Sequence, residues 1–207
     1  NYMWYNIAGE IMDYAPNVRF CEVIINGEYK GLYVVTETIT NGVESRLNIS
    51  EPIDGSTKTG YLLRLDRGGS SPIKNIETFT SYAYRNLQQL DIKYPRAGSL
   101  TQEMADAIAQ EFSDFEKSLY SYDYDTENYG YHHSIDVQSF VDYFIINEFT
   151  ANYDAGWLST YVYKDIGGKY KMVIWDFNSA CNNYTHPVNL PNHFEMQQNI
   201  WYFMLTK

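Results

Sequence analysis

Two aspartates set the chemical question. Asp154 lies where an apolar helical pattern gives way to a loop, and Asp176 stands where a strand-like run stops. Between them, residues 158–164 and 169–175 read as two strands joined through Ile166-Gly167-Gly168. A hairpin brings its own ends together, so the carboxylates converge although they are 22 positions apart (176 − 154). Converging carboxylates beside turns suit a hard, oxygen-preferring cation such as Mg²⁺. They also suit phosphoryl transfer, in which one Asp orients the attacking hydroxyl and another holds metal on the phosphates. The same residue type is an ordinary turn former, so on spacing alone Asp154 could equally cap a turn and Asp176 a strand end.

The elements that must position these residues are legible. Asn26-Gly27 between two β-rich runs, residues 19–25 and 31–39, is a strong hairpin signal because both residues tolerate positive φ. A third strand is expected over 60–66, a loop over 67–80, and a strand over 89–94 that stops at Pro95. Ser99-Leu100-Thr101-Gln102 has capping-box spacing, with Ser99 as the cap. Met104, Ile108, Phe112, Phe115 and Leu119 then fall on one helical face. Asp136 caps a second helix, whose expected buried stripe is Val137, Phe140, Val141, Phe144, Ile145 and Phe149. The fold class is therefore α+β: a β-rich part over 1–95, then a helical part over 96–207 carrying the late hairpin at 158–175. Asn1 opens without an initiator Met, and Trp201-Tyr202-Phe203-Met204 is apolar. Both ends read as cuts through a longer chain.

Composition excludes several classes. The 207 residues suffice for one or two compact domains. A net charge of −11 argues against non-specific binding to nucleic acid, and no apolar run approaches the length of a membrane span. Two cysteines, Cys21 and Cys181, do not make a disulfide scaffold. The 21 tyrosines suit half-buried strands and wet clefts, and together with few Lys and Arg they fit an exported protein. His132, His133, His186 and His193 lack zinc-site spacing. Gly68-Gly69-Ser70-Ser71 reads as a turn more readily than as a phosphate cradle.

One combination of blocks is specific. Asn26-Gly27-Glu28-Tyr29-Lys30-Gly31-Leu32-Tyr33 followed by Glu37, with Asn152-Tyr153-Asp154, Tyr161-Val162-Tyr163 and Trp175-Asp176-Phe177-Asn178, resembles the spore-coat protein H family, the CotH kinases, over about residues 18–182. The resemblance implies an atypical protein-kinase-like fold. It also implies Ser/Thr phosphorylation of secreted, surface or spore-coat proteins, with ATP and Mg²⁺ or Mn²⁺. By that resemblance Asp154 is the catalytic-loop aspartate and Asp176 the metal-binding one. Lys93 is the strand lysine for the nucleotide phosphates, with Lys74 or Lys30 as alternatives. Glu37 is the acidic residue closing its strand, either at the nucleotide site or in a cross-strand salt bridge. Ser159 and Asn178 occupy metal-ligand positions where the family pattern has Asn and Asp, and Asn182 stands where it has Gly. These neutral replacements hold Mg²⁺ less strongly than carboxylate. They leave open a catalytically weakened pseudokinase, or a protein- or carbohydrate-binding module on the same fold.

Overall fold

The computed structural model describes residues 1–69, 71–81, 88–184 and 194–207. His186 and His193 lie outside them. The chain opens with helix α1 (Tyr2–Ile11), which the sequence reading does not anticipate. Strands β1 (Val18–Ile25) and β2 (Glu28–Thr36) form the expected hairpin, with Asn26 at φ 53° and Gly27 at φ 81°. This two-stranded ribbon projects from the body. Phe20, Ile24, Tyr29, Leu32 and Val35 on it are each more than half exposed.

The main sheet has five strands in the order β4-β5-β3-β6-β7. Its members are β3 (Tyr61–Asp66), β4 (Asn75–Ile76), β5 (Gln89–Tyr94), β6 (Thr160–Lys164) and β7 (Lys171–Val173). All its pairings are antiparallel. The late hairpin thus joins strands from the first half of the chain in one sheet. The stretch expected as loop, 67–80, holds a 3₁₀ turn (Pro72–Lys74) and the short β4.

The strand period of two gives the sheet two different faces. Leu63, Leu65, Ile92 and Val162 join the larger core with helices α2 (Gln102–Tyr120), α3 (Val137–Phe149) and α4 (Ile200–Leu205). Phe112 of α2 sits edge-on to Tyr170 and Trp201, with ring centroids 5.2 Å apart in each case. Leu62, Tyr94, Tyr161 and Val173 belong to a smaller core, covered by Tyr14, Ile39, Leu47 and Ile49. Arg64, Asp66 and Asp91 form an ion-paired group alongside Tyr161.

Two expectations about the helices need correction. The cap of α2 is Thr101, whose Oγ1 accepts from the Met104 N–H at 3.2 Å, not Ser99. Ser99 is taken up in the preceding turn, its N–H donating to Arg96 O. Asp136 does cap α3, accepting from the Ser139 N–H at 3.1 Å. The buried stripe of α3 is not the one expected. Phe140, Tyr143, Ile146 and Asn147 are buried, while Val137, Val141, Ile145 and Phe149 are exposed. This helix is apolar on two sides, so its sequence does not fix which side packs.

Glu116 on α2 is fully buried. It accepts from the Thr80 N–H and hydroxyl and from Trp201 Nε1, so one carboxylate joins a loop, α2 and α4.

Candidate functional site

Register brings the candidate residues to one end of the strands. β6 is antiparallel to both β3 and β7, pairing Leu65 with Thr160 and Tyr161 with Val173. The end of β3, the start of β6 and the end of β7 therefore lie together. Asp66, Ser159 and the segment running into Asp176 emerge at that end.

The two aspartate-bearing loops are stitched to each other. The Cys181 N–H donates to Thr150 O at 2.6 Å, and Asn152 Nδ2 donates to Asp176 O at 3.3 Å. Ser179 Oγ donates to Asp154 Oδ2 at 2.7 Å and lies 3.3 Å from Asn178 Oδ1. The Asn178 N–H in turn points to Asp176 Oδ1 at 3.3 Å. A chain of polar contacts thus runs Asp154–Ser179–Asn178–Asp176. Asn152 is buried and also donates to Asn147 Oδ1, which anchors the Asp154 loop to the end of α3. Its own Oδ1 finds no hydrogen-bond partner among the described residues. Helix α1 supports the second loop: the Asp176 N–H donates to the Tyr5 hydroxyl and the Phe177 N–H to Asn1 Oδ1. Burial pushes the Tyr5 hydroxyl well above the usual tyrosine range, which keeps it neutral.

Backbone strain concentrates in the same loops. Among the described residues, the non-glycine positions with left-handed φ are Asn26 in the hairpin turn and Ala151, Ser159, Asp176, Cys181 and Asn182. Such conformations cost energy and gather where geometry is held for a purpose. Asn182 has φ 62°, a position that favours glycine first and asparagine next. Asn in place of the family's Gly is therefore compatible with the backbone. Ser159, at φ 51°, is a poorer fit than Asn would be. No hydrogen bond joins its side chain to Asp154 or Asp176 among the described residues.

The other expected site residues sit elsewhere: Lys93 on the main sheet, Lys30 on the ribbon and Glu37 just past it. Glu37 lies just past β2 and is bound to Arg46 at 2.8 Å, to the Asn17 N–H and to the Tyr14 hydroxyl. Burial pushes its carboxyl up, but the Asn17 N–H and the Arg46 guanidinium outweigh that and hold it below the usual range. Glu37 thus forms a salt bridge, but its partner Arg46 lies in a loop and not on the facing strand as expected. Glu37 also lines a cavity of about 640 Å³ with Tyr94 and Arg96. Lys93 is half-buried on β5, next to the Arg64–Asp91 pair. Lys30 is tied to Glu28 on the projecting ribbon.

Sequence reasoning missed the ion-paired group between these ends. Arg64 Nε meets Asp91 Oδ1 at 3.0 Å and its guanidinium lies 3.6 Å from Asp66. Burial pulls Arg64 down, but Asp91 outweighs it and the guanidinium stays charged. Across the sheet face, Tyr161 lies against Arg64, and its ring is 6.1 Å from that of Trp175, the residue before Asp176. The Asp154 and Asp176 motifs were visible in the chain; Arg64–Asp91 depends on register, which no local pattern reveals.

The donor set can be tested against a metal. Among the described residues no three His, Cys, Asp or Glu side chains gather as an all-protein metal cage. Asp176 and Asp154, with Asn178 and Ser179 oxygens between them, instead form a sparse set of hard oxygen donors. Mg²⁺ bound with a nucleotide needs only one or two carboxylates, the phosphates supplying the rest. These residues fit that pattern.

A family model described as CotH kinase protein matches residues 1–207, the whole chain. No curated protein matches it. Among the described residues no helix is long and apolar enough to cross a membrane.

Proposed function

We propose that this chain, which belongs to the CotH kinase family over its whole length, transfers the γ-phosphoryl group of ATP to a Ser or Thr hydroxyl of a secreted, cell-surface or spore-coat protein, with Mg²⁺ or Mn²⁺. In this reading Asp154 orients the substrate hydroxyl and accepts its proton as the oxygen attacks the γ-phosphorus. The bond from that phosphorus to the bridging oxygen breaks, and ADP leaves. Asp176 is the carboxylate that holds the metal, with Asn178 and Ser159 as neutral oxygen ligands. The metal supplies charge neutralisation on the phosphates. Lys93 neutralises phosphate charge from β5, and Glu37 borders the nucleotide side.

The observation that carries the proposal is the polar chain Asp154–Ser179–Asn178–Asp176, which ties the two aspartates of the family motifs into one site. Thermal-shift measurements with ATP and Mg²⁺ or Mn²⁺ test the binding step. Saturation at 100 times Kd stabilises by about 2.7 kcal/mol. Labelled γ-phosphate appearing on Ser or Thr of a secreted acceptor protein tests the transfer. Ser159 and Asn178 favour one second reading, a pseudokinase, in which ATP shifts the melt but no label is transferred. A melt that ignores ATP with either metal overturns both.

A further inference from the structure

The main chain at Asp154 is fixed by its own turns, and the carboxylate by a single outside residue. Asp154 O accepts from the Trp157 N–H at 3.1 Å and the Leu158 N–H at 2.9 Å, and the Ala155 N–H donates to Asn152 O at 3.0 Å. These bonds set the backbone and leave the side-chain torsions open. Ser179 Oγ closes them by donating to Asp154 Oδ2 at 2.7 Å. No other hydrogen bond or ion pair reaches the Asp154 carboxylate among the described residues. Asp154 is half-buried, which leaves its Oδ1 open to a group arriving from solvent.

Ser179 is itself firmly held. It is 5% exposed. After it, the Ala180 N–H donates to Phe177 O at 3.3 Å, and the Cys181 N–H ties the loop to Thr150 O, at the end of α3, at 2.6 Å. Before it, Asn178 O accepts from Asn183 Nδ2 at 2.8 Å. The Ser179 hydroxyl has one hydrogen and two acceptors within reach. The carboxylate oxygen of Asp154 lies at 2.7 Å and the amide oxygen of Asn178 at 3.3 Å, so the nearer, charge-assisted bond takes the hydrogen. An aspartate at position 178, as in the family pattern, would set a second carboxylate against the same hydrogen. Asn178 leaves it to Asp154.

We propose that Ser179 is the positioning residue for Asp154: by holding Oδ2 from the buried side, it aims Oδ1 at the hydroxyl of the phosphate acceptor. The proposal rests on the phosphoryl-transfer reading above and gives a role to a residue outside the motif blocks. The acceptor hydroxyl passes its proton to Oδ1 as its oxygen bonds to the γ-phosphorus. The bond from that phosphorus to the bridging oxygen breaks, and ADP leaves. A carboxylate free to swing would miss this geometry, and a misplacement of about 1 Å costs about 10²-fold in rate.

The test compares Ser179→Ala, Ser179→Thr and Ser179→Val with the parent, Thr and Val being alike in shape and different in the hydroxyl. Turnover of γ-labelled ATP is counted as phosphate passed to dephosphorylated casein, to the chain itself and to water. Mg-ATP binding and the melting temperature are measured separately. Ser179→Ala and Ser179→Val should lower kcat about 10- to 100-fold, the worth of one hydrogen bond to a charged group. Their Kd for Mg-ATP should stay at the parent's value, and Ser179→Thr should retain most of the rate. Parental kcat in Ser179→Ala, or Thr no better than Val, overturns the positioning role and leaves the transfer reading standing. A Kd and a melt that worsen in step with kcat make Ser179 a loop stitch only, which also overturns the role. A parent that passes phosphate to none of the three acceptors overturns the transfer reading, and the positioning role with it.

Discussion

The two faces of the five-stranded sheet are built by the same residues in alternation, and they carry opposite burdens. Leu63 and Leu65 disappear into the helical core, while Arg64 and Asp66, their immediate neighbours, join an ion-paired group beside Tyr161. The helical face is mostly apolar, and its buried Glu116 carboxylate has its donors in Thr80 and Trp201. The polar face leaves an oxygen of the buried Asp91 without a hydrogen-bond partner among the described residues. A single step along the strand thus changes an apolar contact into an ion pair, so substitutions one residue apart should lose stability by different routes.

The largest effect should come from Asp154→Asn. Turnover should fall about 10²- to 10⁴-fold, since the amide cannot accept the hydroxyl proton. The melting temperature should hold, because an amide oxygen can still accept from Ser179. Initial rates at fixed metal, compared with a melt, decide this. A melt that collapses with the rate would return Asp154 to a turn-capping role.

Arg64→Leu should break the tidy division. It leaves Asp91 buried and unpaired, and losing one partner of such a pair costs about 3–5 kcal/mol. Urea denaturation should show this polar-face change rivalling a core truncation. Leu63→Ala, its neighbour, should cost about 2–5 kcal/mol through transfer and cavity terms. The Leu63→Ala protein that remains folded should bind ATP like the parent.

A smaller effect concerns pH. Burial pushes the Glu148 carboxyl up, and burial plus the charge of Glu148 pushes Glu195 up. For a raised carboxyl, the stability it contributes is complete below the unfolded pKa. That stability is lost as pH rises through the folded one. Glu195→Gln should therefore gain on the parent as pH increases from the acid side towards neutrality, and the two denaturation curves should converge on acidification. A constant gap across that range would contradict the assignment. The smallest effect is Ser159→Asn, which should stabilise by up to about 0.5 kcal/mol because Asn accepts a left-handed φ more readily. The same change should tighten Mg-ATP binding, read by titration at several metal concentrations.

What was legible in the sequence was local. Asn26-Gly27 announced its hairpin, and the spacing of Met104, Ile108 and Phe112 announced the buried face of α2, because turn chemistry and helical period act over a few residues. For α3 that period was ambiguous: Val137, Val141 and Ile145 make as good a stripe as Phe140, Tyr143 and Ile146. Tertiary packing chose the second, and Asn147 with it, whose amide is hydrogen-bonded to Asn152 at the root of the Asp154 loop. Ser99 and Thr101 both offered a hydroxyl two residues apart, and the turn from Arg96 decided between them. At the site, the motif residues Asp154 and Asp176 stood out by type. Their stitching through Ser179 did not, because a serine carries no mark of what lies across from it. The Arg64–Asp91 pair was hidden for the same reason: its members are 27 positions apart and meet only through strand register.

The carboxylate of Glu116 has a consequence for the order in which the molecule is made. Its donors arise 36 residues earlier, at Thr80, and 85 later, at Trp201. During synthesis, α2 emerges with an acid on its core-facing side and two of its three eventual donors. Until α4 follows, water must stand in for the Trp201 donor at that carboxyl group. Closure of the core is therefore timed by α4, and a nascent chain stopped short of Trp201 should remain soft and protease-sensitive even with all five described strands of the sheet already outside the ribosome.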